Sequence, residues 1–155
     1  MTDNIQLENI AKKMKINLVG VFSKDKLPSR ARVGAYIINL QNYDAGGGTH
    51  WTAFNISFDK KVTYFDSFGL PPPEEVKDFV GQYPIMSNIR HIQHLKSDLC
   101  GFYCLLFLKA IQKTNNGSKR FDDFLNVFRE DKTYNEDIVK KYFALYWTVY
   151  QRKNE

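Results

Sequence analysis

The sequence predicts an α+β domain, with a cluster of strands set between helices. Three observations carry that prediction. HWTAFNISF (50–58) and KVTYFDSF (61–68) are rich in aromatic and β-branched residues, and only a short polar turn separates them, which is a hairpin pattern. The run from Cys100 to Ile111 is apolar nearly all round, so it reads as a buried helix. The order of strands and helices lacks regular βαβ alternation, which argues against a doubly wound sheet.

The elements follow in order. NIQLENIAKKMKI places Ile5, Leu7, Ile10, Met14 and Ile16 at the spacing of an amphipathic helix. GVFSKDKLPSRARVG (20–34) reads as a loop turning at Leu27-Pro28. AYIINL (35–40) is a short strand, and AGGGT (45–49) is a flexible turn. After the hairpin, three prolines stand just ahead of Glu74 and Glu75 and an apolar face. Proline suits a first helical turn and acidic residues suit a helix N-terminus, so a helix starts near Pro73. PIMSNIRHIQHL (84–95) reads as another strand, and NNGS ends the helix that begins at Cys100. RFDDFLNVFRE and NEDIVKKYFALYWTVY are two more amphipathic helices, the second with Ile138, Tyr142, Leu145 and Val149 on its apolar face.

At 155 residues the chain reads as one domain, 1–155, large enough to bury a core without staples. The N-terminal MTDNIQLENIAKKMKIN has no continuous apolar stretch, so a secreted product is not expected. No run approaches the ~18 apolar residues of a membrane span, so no membrane partner is expected. Two cysteines, Cys100 and Cys104, cannot build a disulfide framework, which suits a reducing compartment. The net charge of +5 permits weak, nonspecific association with DNA or another polyanion. A solvated basic surface is the plainer reading of Lys109, Lys113, Lys119, Arg120, Lys140 and Lys141. His91 and His94 form one lone His-x-x-His pair, too few ligands for zinc, and no metal is expected.

The chemistry centres on Cys100, at the border between a polar stretch and the buried helix. A helix N-terminus presents unpaired N–H groups and a partial positive charge, which stabilise a thiolate. Gly101 beside it would let a substrate carbonyl approach the backbone. A lone cysteine is more often an inert core residue, so its company decides. A cysteine nucleophile needs a base, and the base needs an orienter. His50 opens the first hairpin strand and Asp66 stands near the end of the second. In a hairpin these positions lie side by side. Read blandly, His50 is a surface histidine and Asp66 the polar edge of a turn. Gln93, seven residues before Cys100, has a side-chain amide suited to a developing oxyanion. Its plain reading is an exposed strand residue. Cys104, one turn below Cys100, reads as a buried core thiol.

THWTAFNI, YFDSFG and QHLKSDLCGFYCLLF together resemble the cysteine-protease set of the adenovirus maturation protease (adenain) and its relatives, a clan that includes the SUMO-specific proteases. The family order, histidine-tryptophan, acid, glutamine, cysteine-glycine, falls here on His50-Trp51, Asp66, Gln93 and Cys100-Gly101. LVGVFSKDKLP and GAYIINLQN…GGGTHW extend the likeness, which covers roughly residues 18–110. YFDSFGLPPP and CGFYCL are most similar to the maturation proteases of virophages and large virus-like transposons. The resemblance implies a papain-like, adenain-like fold: a small mixed β-sheet packed on helices, with the nucleophile at the N-terminus of a buried helix. It implies a thiol endopeptidase that processes capsid precursors at small-residue, glycine-containing sites, acting as a monomer in the virion and the infected cell. Trp51, Gly48, Gly101 and Phe68 are the expected substrate-binding residues. No cofactor is required by the sequence, and nothing in it supports activation by a peptide or by DNA. A disulfide-linked activating peptide would have to use Cys104. The acid is an aspartate where the adenoviral protein has glutamate. Two other functions stand beside this one: an isopeptidase that removes SUMO or another ubiquitin-like modifier, and a catalytically silent interaction module.

Overall fold

The computed structural model describes residues 2–41, 50–113 and 117–144. Asp3 starts the first helix, α1 (Asn4–Lys13), through a capping box: its carboxylate accepts from the Gln6 N–H, and the Gln6 side chain accepts from the Asp3 N–H. Leu7, Ile10 and Ala11 face inward, whereas Ile5, on the expected apolar face, is exposed.

Five strands form one mixed sheet in the order β1 (Leu18–Ser23), β2 (Gly34–Asn39), β3 (Trp51–Ile56), β4 (Val62–Phe65), β5 (Ile85–Ser87). The two outer pairs, β1–β2 and β4–β5, are parallel, and the two inner pairs are antiparallel. The β3–β4 hairpin is thus the antiparallel centre, as its residue pattern predicts. Alternation sends Ala35, Ile37, Ala53 and Phe65 to one face, against α1 and the apolar helix α3 (Cys100–Ile111). Tyr36, Ile38, Phe54, Ile56, Val62 and Tyr64 face the other way, onto Val76 and Val80 of α2 (Glu74–Val80). These three central strands are therefore buried on both faces, which explains why β2, β3 and β4 carry no charged side chains. Phe65 stacks on Phe107 of α3 at 5.1 Å between centroids, and loss of such a ring costs about 3–5 kcal/mol.

Four expectations need correction. Residues 20–23 are strand, not loop: Val21 and Phe22 continue β1, and the turn begins only at Lys24, in a 3₁₀ segment running to Lys26. The strand expected over 84–95 lasts only from Ile85 to Ser87, because Asn88 turns its side chain into the ladder and the chain leaves the sheet. Helix α3 ends at Ile111, before NNGS, with Gln112 at its C-terminus tied by its side chain to Asn17 and Asn55. The glycine of NNGS instead opens α4 (Gly117–Asn126). Finally, α5 (Lys132–Tyr142), capped by Asp131, buries Asn135, Glu136, Val139 and then Phe143, not Ile138 and Tyr142. Its phase is set by two contacts with α3: the Tyr103 hydroxyl bonds the Glu136 carboxylate, and Phe102 packs on Phe143. Leu145 and Val149 lie outside the described residues.

Candidate active site

Cys100 is the first residue of α3. Leu99, in the capping position, supplies no side-chain bond, and the first turn holds no acidic residue, so the positive end of the helix is not offset locally. The helix lies across β3 and grips one residue of it, Trp51, by both backbone polar groups. The Trp51 N–H donates to Cys100 Sγ (3.5 Å), and the Trp51 carbonyl accepts from Cys104 Sγ (3.3 Å). The spacing of four residues places both sulfurs on the same helix face. Cys104 is fully buried, and burial pushes its thiol well above its ordinary range, with the charges of Cys100 and Asp66 adding to the effect.

This grip on Trp51 fixes the residue before it. His50 Nε2 lies 2.8 Å from Asp66 Oδ1, the pairing that the hairpin ends were expected to allow. Asp66 is fully buried, and the same oxygen accepts from the Phe68 N–H at 2.8 Å. With Nε2 on Asp66, the other ring nitrogen is left for the sulfur. Burial alone would lower the His50 pKa. Hydrogen bonds to Asp66 and Cys100, and the charges of both, outweigh burial and bring it up to about 9. The imidazole is thus held toward its cationic form by the groups beside it.

Phe68 stacks on the His50 ring at 4.6 Å and 20°, and His91 meets the edge of Phe68 at 5.2 Å. Phe68 is therefore a wall of the imidazole, whatever contact it makes with a substrate. Gln93 is fully buried. Its Nε2 donates to Ser97 O (3.0 Å) and lies 3.2 Å from Ser97 Oγ, while its Oε1 accepts from Ser67 Oγ. It thus ties the turn after Asp66 to the segment that leads into Cys100, and is not an exposed strand residue.

Trp51 is 5% exposed and its indole N–H donates to the Thr2 carbonyl at 3.2 Å, so it belongs to the core beside the cysteine. Gly101 faces the N-terminal residues: a Cβ there would stand 2.5 Å from Thr2 Oγ1 and 2.8 Å from Leu7 Cδ2. Its lack of a side chain admits α1, and the substrate approach expected of it has no open face here. Gly48 lies outside the described residues. Sequence reasoning missed the stacking role of Phe68, the tie through Ser67 and Ser97, and Asn88. The signal for Asn88 was a polar residue breaking an otherwise strand-like run. Among the described residues no group of three His, Cys, Asp or Glu side chains could hold a metal ion, and no helix is long and apolar enough to cross a membrane.

No protein-family model and no curated protein matches the chain. Solved structures do. The central domain of the uncharacterized Lpg1148 protein from Legionella pneumophila is similar over 93% of this chain and 94% of that one, at 12% identity and a TM-score of 0.51. A crystal structure of the ASFV pS273R protease is similar over 83% of this chain and 67% of that one, at 16% identity and a TM-score of 0.43. A selenomethionine crystal structure of the same protease is matched over 61% of this chain, which spans 44% of that one, at 18% identity and a TM-score of 0.40. The Legionella likeness is one of fold.

Proposed function

We propose that the protein is a cysteine endopeptidase of the adenain type, acting on virion precursor proteins. The observation that carries this reading is His50, hydrogen-bonded to buried Asp66, with the N–H of the next residue, Trp51, donating to Cys100 Sγ at a helix N-terminus that has no side-chain cap. The likeness of the residue set to adenain, and a named protease among the similar structures, support it from outside the geometry.

In this reading Cys100 Sγ, as thiolate, attacks the scissile carbonyl carbon. A C–S bond forms and the carbonyl electrons move to oxygen. The oxyanion lies at the N-terminus of α3, within the field of its unpaired N–H groups, with the Gln93 amide as the side-chain donor. Gln93 must then share a proton now directed at Ser97. The His50 imidazolium gives its proton to the leaving amine as the C–N bond breaks. Water, deprotonated by His50, attacks the thioester, and the C–S bond breaks to return the thiolate. Asp66 holds the ring and its charge throughout. A disulfide-linked activating peptide does not fit this scheme, because reaching Cys104 would require lifting α3 off β3.

The test is incubation with capsid precursors bearing glycine-containing sites and, separately, with SUMO and ubiquitin conjugates, with Cys100→Ala as the blank. Precursor cleavage by the native chain alone supports maturation in the virion and the infected cell. Cleavage of conjugates alone would replace it with the isopeptidase reading. Turnover of neither substrate would favour the silent module.

A further inference from the structure

We infer that Asn88 is a positioning residue of the site, holding Asp66 by its backbone so that the carboxylate reaches His50. The starting point is how little holds the Asp66 side chain itself. One oxygen, Oδ1, takes both the His50 ring and the Phe68 N–H. The other, Oδ2, is buried with no hydrogen-bond partner among the described residues. A carboxylate tethered by one oxygen can pivot about it, so the direction of the side chain has to come from the main chain.

The main chain at Asp66 stands just past the end of β4. The β4–β5 ladder pairs Val62, Thr63 and Tyr64 with Ile85, Met86 and Ser87 and goes no further. Asn88 follows directly, and its side chain is 3% exposed at the residue level. Its Oδ1 accepts from the Asp66 N–H at 3.1 Å, and its Nδ2 donates to the Asp66 carbonyl at 2.7 Å. A side-chain amide has the donor and acceptor of a peptide group, so Asn88 supplies with its side chain the pairing that a longer β5 would have supplied with its backbone. Both backbone polar groups of Asp66 are satisfied at once. The same Nδ2 also donates to the Arg90 carbonyl at 3.1 Å, which folds residues 88–90 back against the turn. Gly69 closes that turn with φ +75° and its N–H on the Asp66 carbonyl, and a Cβ there would lie 2.6 Å from the Ile89 carbonyl oxygen. Segment 88–90 is thus a cradle for Asp66–Gly69, and Asn88 is its contact with the orienter.

This role rests on His50 and Asp66 acting as a pair. The experiment therefore reads the pair directly, without turnover. The His50 imidazole is titrated by NMR in a Cys100→Ala background, which removes the thiolate contribution. Asn88→Ala in that background is expected to move the His50 midpoint down, toward the ordinary histidine value, because Asp66 no longer holds its place. Asn135→Ala is the control. Asn135 is equally buried and clamps Ile92 and Arg129, but touches neither Asp66 nor His50, so its loss is expected to lower stability and leave the midpoint in place. In the chain with Cys100 restored, Asn88→Ala is expected to reduce kcat by about 10–100-fold with little change in KM, the scale of a misplaced catalytic group. If Asn88→Ala does not fold, Asn88→Ser keeps one hydrogen-bonding group and is expected to give a smaller shift of the same sign. An unchanged His50 midpoint in a folded Asn88 variant overturns the assignment, even if activity falls. A shifted midpoint in a chain that cleaves no substrate would uphold it while removing the protease reading.

Discussion

The two ends of the β3–β4 hairpin are built in opposite ways. At the open end, His50 and Asp66 face each other under Phe68, cross-linked to α3 through Trp51 and to segment 88–97 through Asn88 and Ser67. At the closed end, the turn through Asp59 and Lys60 lies in solvent, with Phe58 90% exposed. Beside it runs a groove of about 890 Å³ between Asn17, Phe58, Lys61, Met86 and Gln112. None of His50, Asp66, Gln93 or Cys100 lines that groove. The groove and the His50–Asp66–Cys100 cluster therefore lie apart in this molecule. The proposed chemistry lies where titratable groups are buried and bonded to one another.

Substitutions at the open end test the comparison most sharply. Cys100→Ala is expected to abolish peptide hydrolysis with the fold intact, and His50→Ala to be as damaging, measured as kcat/KM on a glycine-containing precursor peptide. A thiol-reactive peptide probe that still labels Cys100→Ala but not Cys104→Ala would reverse the roles of the two cysteines. Asp66→Asn is expected to cost less than either, since an orienter contributes less than the base. Gln93→Ala is expected to lower kcat by about 10²–10³-fold, the effect of removing one oxyanion donor, while the rate of alkylation of Cys100 by a small reagent stays the same. Slowed alkylation would make Gln93 a support of the segment before Cys100 instead, which its bonds to Ser97 also suit.

The open end should also respond to pH. Folding raises the His50 pKa from 6.5 to about 9, so the folded chain binds this proton more tightly than the unfolded one. Its contribution to stability is fully present below about pH 6.5 and is lost as pH rises toward and through about 9. A plot of Tm against pH is expected to fall more steeply over that window for the native chain than for His50→Ala. Parallel curves would mean that the imidazolium is not held. The smallest effect belongs to the closed end: Asp59→Ala breaks only an exposed pair with Lys61 and a local bond to Ser57, and turnover is expected to stay at the native level.

The sequence made the open end legible because hairpin geometry and helix position each place one member of the set. A short turn between two β-branched runs brings His50 beside Asp66, and the switch from polar to apolar places Cys100 at a helix start. The resemblance to adenain then joined the two. The failures have a common cause. Periodicity assigns faces by local spacing, while tertiary contacts choose among them. The bonds of Tyr103 to Glu136 and Phe102 to Phe143 turned α5 by one residue. The polar side chain of Asn88 ended β5 by replacing the backbone of the ladder, which no propensity of Ile89 or Ile92 could announce. Gly101 looked available to a substrate because a glycine carries no record of what fills the space beside it.

The grip of two cysteines on one residue has a consequence for how the chain is made. His50 and Asp66 are sixteen residues apart and belong to a local hairpin, which can close within microseconds once synthesised. The bonds from Trp51 to Cys100 and Cys104 span 49 and 53 residues, so the whole of β4, α2 and β5 has to be synthesised before they can form. The hairpin strands can therefore pair early, whereas Asp66 is held in place only once Asn88 has followed, and Cys100 joins the site when α3 docks. Under the proposed function, a nascent chain with an exposed hairpin has its thiol apart from its base, and hydrolytic competence would arrive with the closing of the core.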